Sequence, residues 1–141
     1  MIKIFKTFGG YNEIQKTEKG CWINVIKPTT EEIQRLSDEF QLPQDIINDI
    51  LDQDERPRVE FEDDWSLIIM RIPVQNTNNG VPFQTIPLGV FMSRDITLTL
   101  CLQNNEILPA EKSSPFREQY REITDSINFI LRLFLHSGNV Y

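Results

Sequence analysis

The chain has 141 residues, 40% hydrophobic and 25% charged, with a formal net charge of −7 at pH 7, which is the size and balance of one globular domain with a packed core rather than a disordered segment. The acidic excess argues against nucleic acid as a partner, because phosphates attract basic surfaces. No apolar run reaches the roughly eighteen residues of a membrane helix, and the N-terminus MIKIFKTFGG lacks the apolar core and small-residue cleavage site of a signal peptide, so a cytoplasmic location is expected.

In chain order, Ile2-Lys3-Ile4-Phe5-Lys6 alternates as a half-buried strand does, and Gly9-Gly10 predicts a tight reversal into Tyr11–Gln15. Glu18-Lys19-Gly20 is a second turn, and Cys21-Trp22-Ile23-Asn24-Val25-Ile26 is rich in β-formers and expected in the sheet interior, ended by Pro28. Thr29-Thr30-Glu31-Glu32 forms a capping box, in which Thr29 bonds the third helical amide and Glu32 reaches back. The helix behind it sets Ile33, Leu36 and Phe40 on one face.

After a break at Gln41-Leu42, a second helix is expected from Pro43, since proline suits the first helical position. Helical periodicity puts Ile46, Ile47, Ile50 and Leu51 on one face and Asp45, Asp49 and Asp52 on the other. Three carboxylates in one column repel by about a few tenths of a kcal/mol per neighbouring pair, so an offsetting group outside the helix is expected.

Arg58 to Phe61 reads as a strand, and Trp65–Val74 as a longer one whose apolar stretch Leu67-Ile68-Ile69-Met70 implies burial on both faces. Gln75 to Gly80 is polar, and Asn79-Gly80 favours a type I′ hairpin tip. Thr85–Met92 returns as a strand, Ser93-Arg94-Asp95 turns, and Ile96–Leu102 is another strand. Gln103 to Pro115 is polar and irregular. The stretch Arg121 to His136 then spaces Ile123, Ile127, Ile130, Leu131 and Phe134 as a helix whose apolar face needs a partner surface. Cys21 and Cys101 lie in apolar strand-like runs and read as buried free thiols.

Between Asp45 and Asp64, nine of twenty residues are Asp or Glu, against only Arg56 and Arg58. Hard divalent cations favour carboxylate oxygens, and magnesium takes only one or two of them and keeps several waters. One helix face cannot enclose such an ion, so a site here needs a second surface. Read by themselves, Asp45, Asp49, Asp52, Asp54 and Glu55 describe a solvated acidic rim, since charge runs usually face water. Arg56 and Arg58 read as ion-pair partners holding the corner between helix and strand, with Pro57 fixing its direction.

No enzyme signature is present. His136 is the single histidine and has no serine or cysteine partner at a recognisable spacing, and there is neither a P-loop nor a dinucleotide fingerprint.

Asp49-Ile50-Leu51, followed by Arg56-Pro57-Arg58-Val59-Glu60 and an aromatic-rich strand, resembles the cytoplasmic domain of the CorA family of magnesium and cobalt transporters. The resemblance extends more weakly from Trp22 to about Leu135. Arg58 stands where the family commonly has lysine, and Asn48 where it usually has glutamate. The resemblance implies an αβα sandwich, which agrees with the α/β fold expected from the pattern: a mixed sheet of about six or seven strands with helices on both faces. It further implies that residues 1–141 are a single cytoplasmic regulatory domain, cut before the stalk and membrane helices of a homopentamer at the inner membrane. Asp49 would contribute to an inter-subunit divalent-cation site that senses Mg2+, with Asp45 and Asp52 as weaker candidates and Co2+ as a further ion. The alternative is a stand-alone acidic interaction module with no ion role, docking through the Ile127–Phe134 face.

Overall fold

The computed structural model describes residues 1–6, 12–76 and 80–105. The strands are β1 (Ile2–Lys6), β2 (Asn12–Ile14), β3 (Cys21–Ile26), β4 (Arg58–Phe61), β5 (Trp65–Gln75), β6 (Phe83–Ser93) and β7 (Ile96–Cys101), and the helices α1 (Thr30–Asp38) and α2 (Gln44–Leu51) lie between β3 and β4. Together the strands form a seven-stranded sheet in the order β2-β1-β3-β7-β6-β5-β4. Among the described strands only β3 and β7 run parallel; the other pairs are antiparallel. The fold is therefore the expected α/β, with a mixed sheet.

Alternation along the strands divides the core in two. Ile23, Val25, Leu67, Ile69, Phe91, Leu98 and Leu100 pack on one face with Leu36 of α1 and Ile46, Ile47 and Ile50 of α2. On the other face lie Phe5, Trp22, Met70, Ile72, Leu88 and Val90, also buried. Both described helices cover the first face. The helix expected over 121–136, and with it the Ile127–Phe134 face, lies outside the described residues, as do the Gly9-Gly10 reversal and most of the tip at 77–79. The second face carries a satisfied polar group in its centre: the Trp22 indole donates to Thr99 Oγ1 at 2.9 Å, and Thr99 in turn donates to Asn24 Oδ1 at 3.1 Å.

The local chemistry follows the residues closely. Thr29 and Glu32 make the reciprocal capping box, and Glu32 also binds the Met1 amine at 2.7 Å. Gly20, at φ +79, supplies the left-handed turn before β3. Cys21 and Cys101 are buried free thiols, and burial raises the pKa of both. Two prolines sit inside long strands. Pro73 falls beyond the β4 pairing, which ends at Ile69, and Pro87 falls before the β7 pairing, which begins at Leu88. Each therefore has a strand neighbour on one side only, where a missing N–H is tolerated.

Candidate functional site

The acidic stretch folds as helix, corner and strand. The helix α2 turns Ile46, Ile47 and Ile50 into the core, at 3%, 0% and 0% exposure, which fixes the opposite side of the helix toward solvent. It starts one residue later than expected: Pro43 is the N-cap, in extended geometry, and Gln44 is the first helical residue. Pro43 still supplies the carbonyl that accepts from the Ile47 amide at 3.1 Å. Asp45 is exposed in the first turn, where the helix dipole favours a negative charge.

The expected column of three carboxylates is shortened to two. The helix ends at Leu51, and Asp52 is the C-cap at φ −81, ψ 115. The Asp52 carboxylate accepts from the Asp54 amide at 3.0 Å, and its carbonyl accepts from the Glu55 amide at 3.1 Å. That local turn wins over another helical turn because aspartate competes well for nearby amides. Asp52 therefore shapes the corner and does not continue the Asp45–Asp49 face.

Asp49 sits in the last turn, where the dipole disfavours its charge and α2 supplies no basic residue. The offsetting group is Arg58, whose Nη2 donates to Asp49 Oδ2 at 2.6 Å. The same guanidinium lies 3.1 Å from Glu55 Oε1 and 3.8 Å from Glu60 Oε1. Burial works against the charge of Arg58, but the Asp49 bond and the three carboxylates outweigh it and raise the pKa. One cation thus ties together α2, the turn and β4. Arg56 takes no part in this tie, because it is exposed and no ion pair joins it among the described residues. Of the two arginines expected to hold the corner, Arg58 does so.

A second brace was not foreseen from the sequence. Arg71 of β5 donates to the carbonyls of Gln53 and Glu55 at 3.0 and 2.8 Å, and to the carbonyl and hydroxyl of Thr85 in β6 at 2.6 and 3.0 Å. A lone arginine inside an apolar strand was the available signal, because such a residue must find acceptors. Which acceptors depends on the register.

Among the described residues no three His, Cys, Asp or Glu side chains gather as a metal cage. Asp49 is 40% exposed, and Arg58 holds one of its oxygens. Asp49 is thus a single carboxylate already paired with a guanidinium, and by itself it encloses no ion.

The family model described as CorA-like Mg2+ transporter protein matches residues 17–138. The chain belongs to that family. Within it, the cobalt/magnesium transport protein CorA of Methanocaldococcus jannaschii is 30% identical over 79 residues, 56% of this chain and 24% of that protein. The chain therefore spans about a quarter of that relative's length. The complete structure of the CorA magnesium transporter from the same organism matches at TM-score 0.71 and 17% identity, over 99% of this chain and 44% of that one. The soluble domain of the M. jannaschii CorA matches at TM-score 0.65 and 22% identity, over 76% and 42%. The ZntB cytoplasmic domain from Vibrio parahaemolyticus matches at TM-score 0.69 and 8% identity, over 97% and 57%. At these identities the three structures share the fold of this CorA-like chain.

Proposed function

We propose that residues 1–141 are one N-terminal cytoplasmic domain of a CorA-type divalent-cation transporter at the cell inner membrane, and that Asp49 gives one carboxylate to a regulatory Mg2+ site between subunits. The observation that carries this reading is the family match over 17–138, which includes the Asp49-Ile50-Leu51 and Arg56-Pro57-Arg58-Val59 segments folded as helix, corner and strand. The whole transporter is read as a homopentamer moving Mg2+, with Co2+ as a further ion. A bound cation would neutralise carboxylates that approach from two subunits and so favour a closed arrangement, by no more than its differential affinity for that state. The part of this chain is to hold Asp49 rigidly at the end of a helix whose other side is locked in the core. Asp45, one turn earlier, adds to the local negative potential; Asp52 is turned into the corner and acts on its shape.

Two experiments test the proposal. The melting temperature of the chain should rise in millimolar magnesium relative to a matched ionic strength of sodium salt, since a ligand of the folded state stabilises it, and Asp49→Ala should abolish the rise. In the whole transporter, Asp49→Ala should weaken inhibition by magnesium; unchanged inhibition would overturn the sensing role. The Asp49–Arg58 pair supports a second reading, in which Asp49 serves only the corner and the domain is an acidic interaction module. A flat magnesium response in the chain together with unaltered inhibition in the transporter would favour it.

A further inference from the structure

We infer that the β4 edge is a docking surface for a second copy of this chain, paired antiparallel about Val59 so that two sheets join edge to edge. Strand β4 ends the sheet, and β5 is its one neighbour among the described strands. The Glu62 amide donates to the Trp65 carbonyl at 2.8 Å, and the register sets Glu60 opposite Leu67 and Arg58 opposite Ile69. Hydrogen-bonded pairs recur at every second residue of an antiparallel ladder, so the main-chain groups of Arg58, Glu60 and Glu62 turn toward β5. Those of Val59 and Phe61 turn outward, where a further strand would meet them. The same two residues leave their apolar side chains open, at 53% and 76% exposure. They stand on the face of Ile68, the β5 partner of Val59.

The order of charges says what fits this edge. Arg56-Pro57-Arg58-Val59-Glu60-Phe61-Glu62 has its cations before Val59, its anions after it and apolar residues between them. Antiparallel pairing about Val59 sets Arg58 of each copy opposite Glu60 of the other, and Arg56 opposite Glu62. Pro57 then faces Phe61, whose amide meets the Pro57 carbonyl, so the missing N–H costs one bond only. Centring the pair on Glu60 or on Phe61 sets glutamate against glutamate, which directly opposed strands disfavour. The register is therefore defined. A net charge of −7 opposes self-association in general, so the contact depends on this local match. A two-fold contact cannot close a five-membered ring, and it lies outside the ring contacts of the pentamer proposed above.

The test is sedimentation of the chain over a range of concentrations. Four residues are a short edge against the roughly 1,200 Å² of a stable interface, so the chain should be monomeric near about 10 μM and approach a dimer near about 1 mM. Arg56 and Glu62 suit a charge swap, because both are exposed and neither joins an ion pair among the described residues. Arg56→Glu and Glu62→Arg should each weaken self-association about tenfold, by turning two attractions into two repulsions. An equimolar mixture of the two variants should recover the unaltered affinity, since every pair is again opposite in sign. In the unaltered chain, the Val59 and Phe61 amide resonances should move with concentration as the mass does. This measurement decides the question even if a variant does not fold. A monomer at the highest concentration, no recovery in the mixture, or stationary Val59 and Phe61 amides in a dimer would each overturn the pairing.

Discussion

Gly89 offers the sharpest test of how α2 is seated. It lies in β6 opposite Ile69 of β5 and Leu100 of β7, in the face covered by the helices. Its backbone is not left-handed, so alanine is allowed there and the effect of Gly89→Ala is purely one of space. An added Cβ would stand 2.3 Å from Ile50 Cδ1, 2.7 Å from Cγ1 and 3.1 Å from Cγ2, against an ordinary carbon contact of about 3.5–4.0 Å. Relief requires Ile50 to move by roughly 1 Å or more. Ile50 is fully buried, so the strain passes to α2. Overpacking of this kind costs about 1–3 kcal/mol, and the smaller entropy of the unfolded alanine chain returns about 0.4–1 kcal/mol. A net loss near 1–2 kcal/mol corresponds to a fall of roughly 3–10 °C in melting temperature for a domain of this size.

Circular dichroism during thermal and urea unfolding would read the loss. Ile50→Val removes the nearest atom, so the double variant should be less destabilised than the sum of the two singles, as coupled contacts require. Because Asp49 precedes Ile50, the same push should move Asp49 relative to Arg58 and alter the magnesium midpoint. A neutral or stabilising Gly89→Ala, or strict additivity with Ile50→Val, would refute the packing of α2 on Gly89.

Arg71→Ala removes four hydrogen bonds and should cost about 1–3 kcal/mol, and Arg71→Lys should recover only part of this because an ammonium cannot span both sets of acceptors. Urea midpoints would check it, and a loss confined to a few tenths of a kcal/mol would mean that water replaces the brace (a surface pair is commonly worth about that little). Glu32 is pushed up by burial, but its bonds to the Met1 amine and to Thr29 outweigh this and hold its pKa below the usual carboxylate range. The stability that follows is present above the unfolded pKa and is lost as pH falls through the lower folded one. Glu32→Gln should therefore lower the melting temperature near neutrality and flatten its decline between about pH 6 and about pH 3. A decline as steep as that of the unaltered chain would remove Glu32 from the account.

The strands and caps were legible because their determinants are local. The capping box at Thr29 and Glu32, the turn at Gly20 and the bounds of β4 all follow from neighbouring residues. The end of α2 was less so. Asp52 has helical spacing with Asp45 and Asp49, but its carboxylate finds the Asp54 amide within the turn, and that contest is settled by a single hydrogen bond. The counter-ion of Asp49 was expected only as a group outside the helix. Arg58 is identified by the turn bringing β4 back beside α2, which periodicity cannot show. Arg71 lies further out of reach: its acceptors are main-chain carbonyls of Gln53 and Glu55, which any residue could supply. That α1 and α2 share a face was likewise beyond a pattern that reports amphipathicity without direction.

The parallel seam between β3 and β7 has a consequence for how the chain folds. The antiparallel strands β4 to β7 close one after another through short connections, and β2 and β3 both pair with β1 between them. Asn24 and Thr99, hydrogen-bonded across the seam, are 75 residues apart. Closing so long a loop costs entropy before any contact rewards it. The two groups of strands can form early and separately, and the step that joins them comes late. Until then the inward sides of Ile23 and Val25 lack the β7 side chains that pack beside them, whereas Gly89 of β6, the floor of α2, already stands in place. The corner holding Asp49, which rests on β6 and β7 and is tied to β4 by Arg58, therefore belongs to the half of the sheet that does not wait for the seam to close.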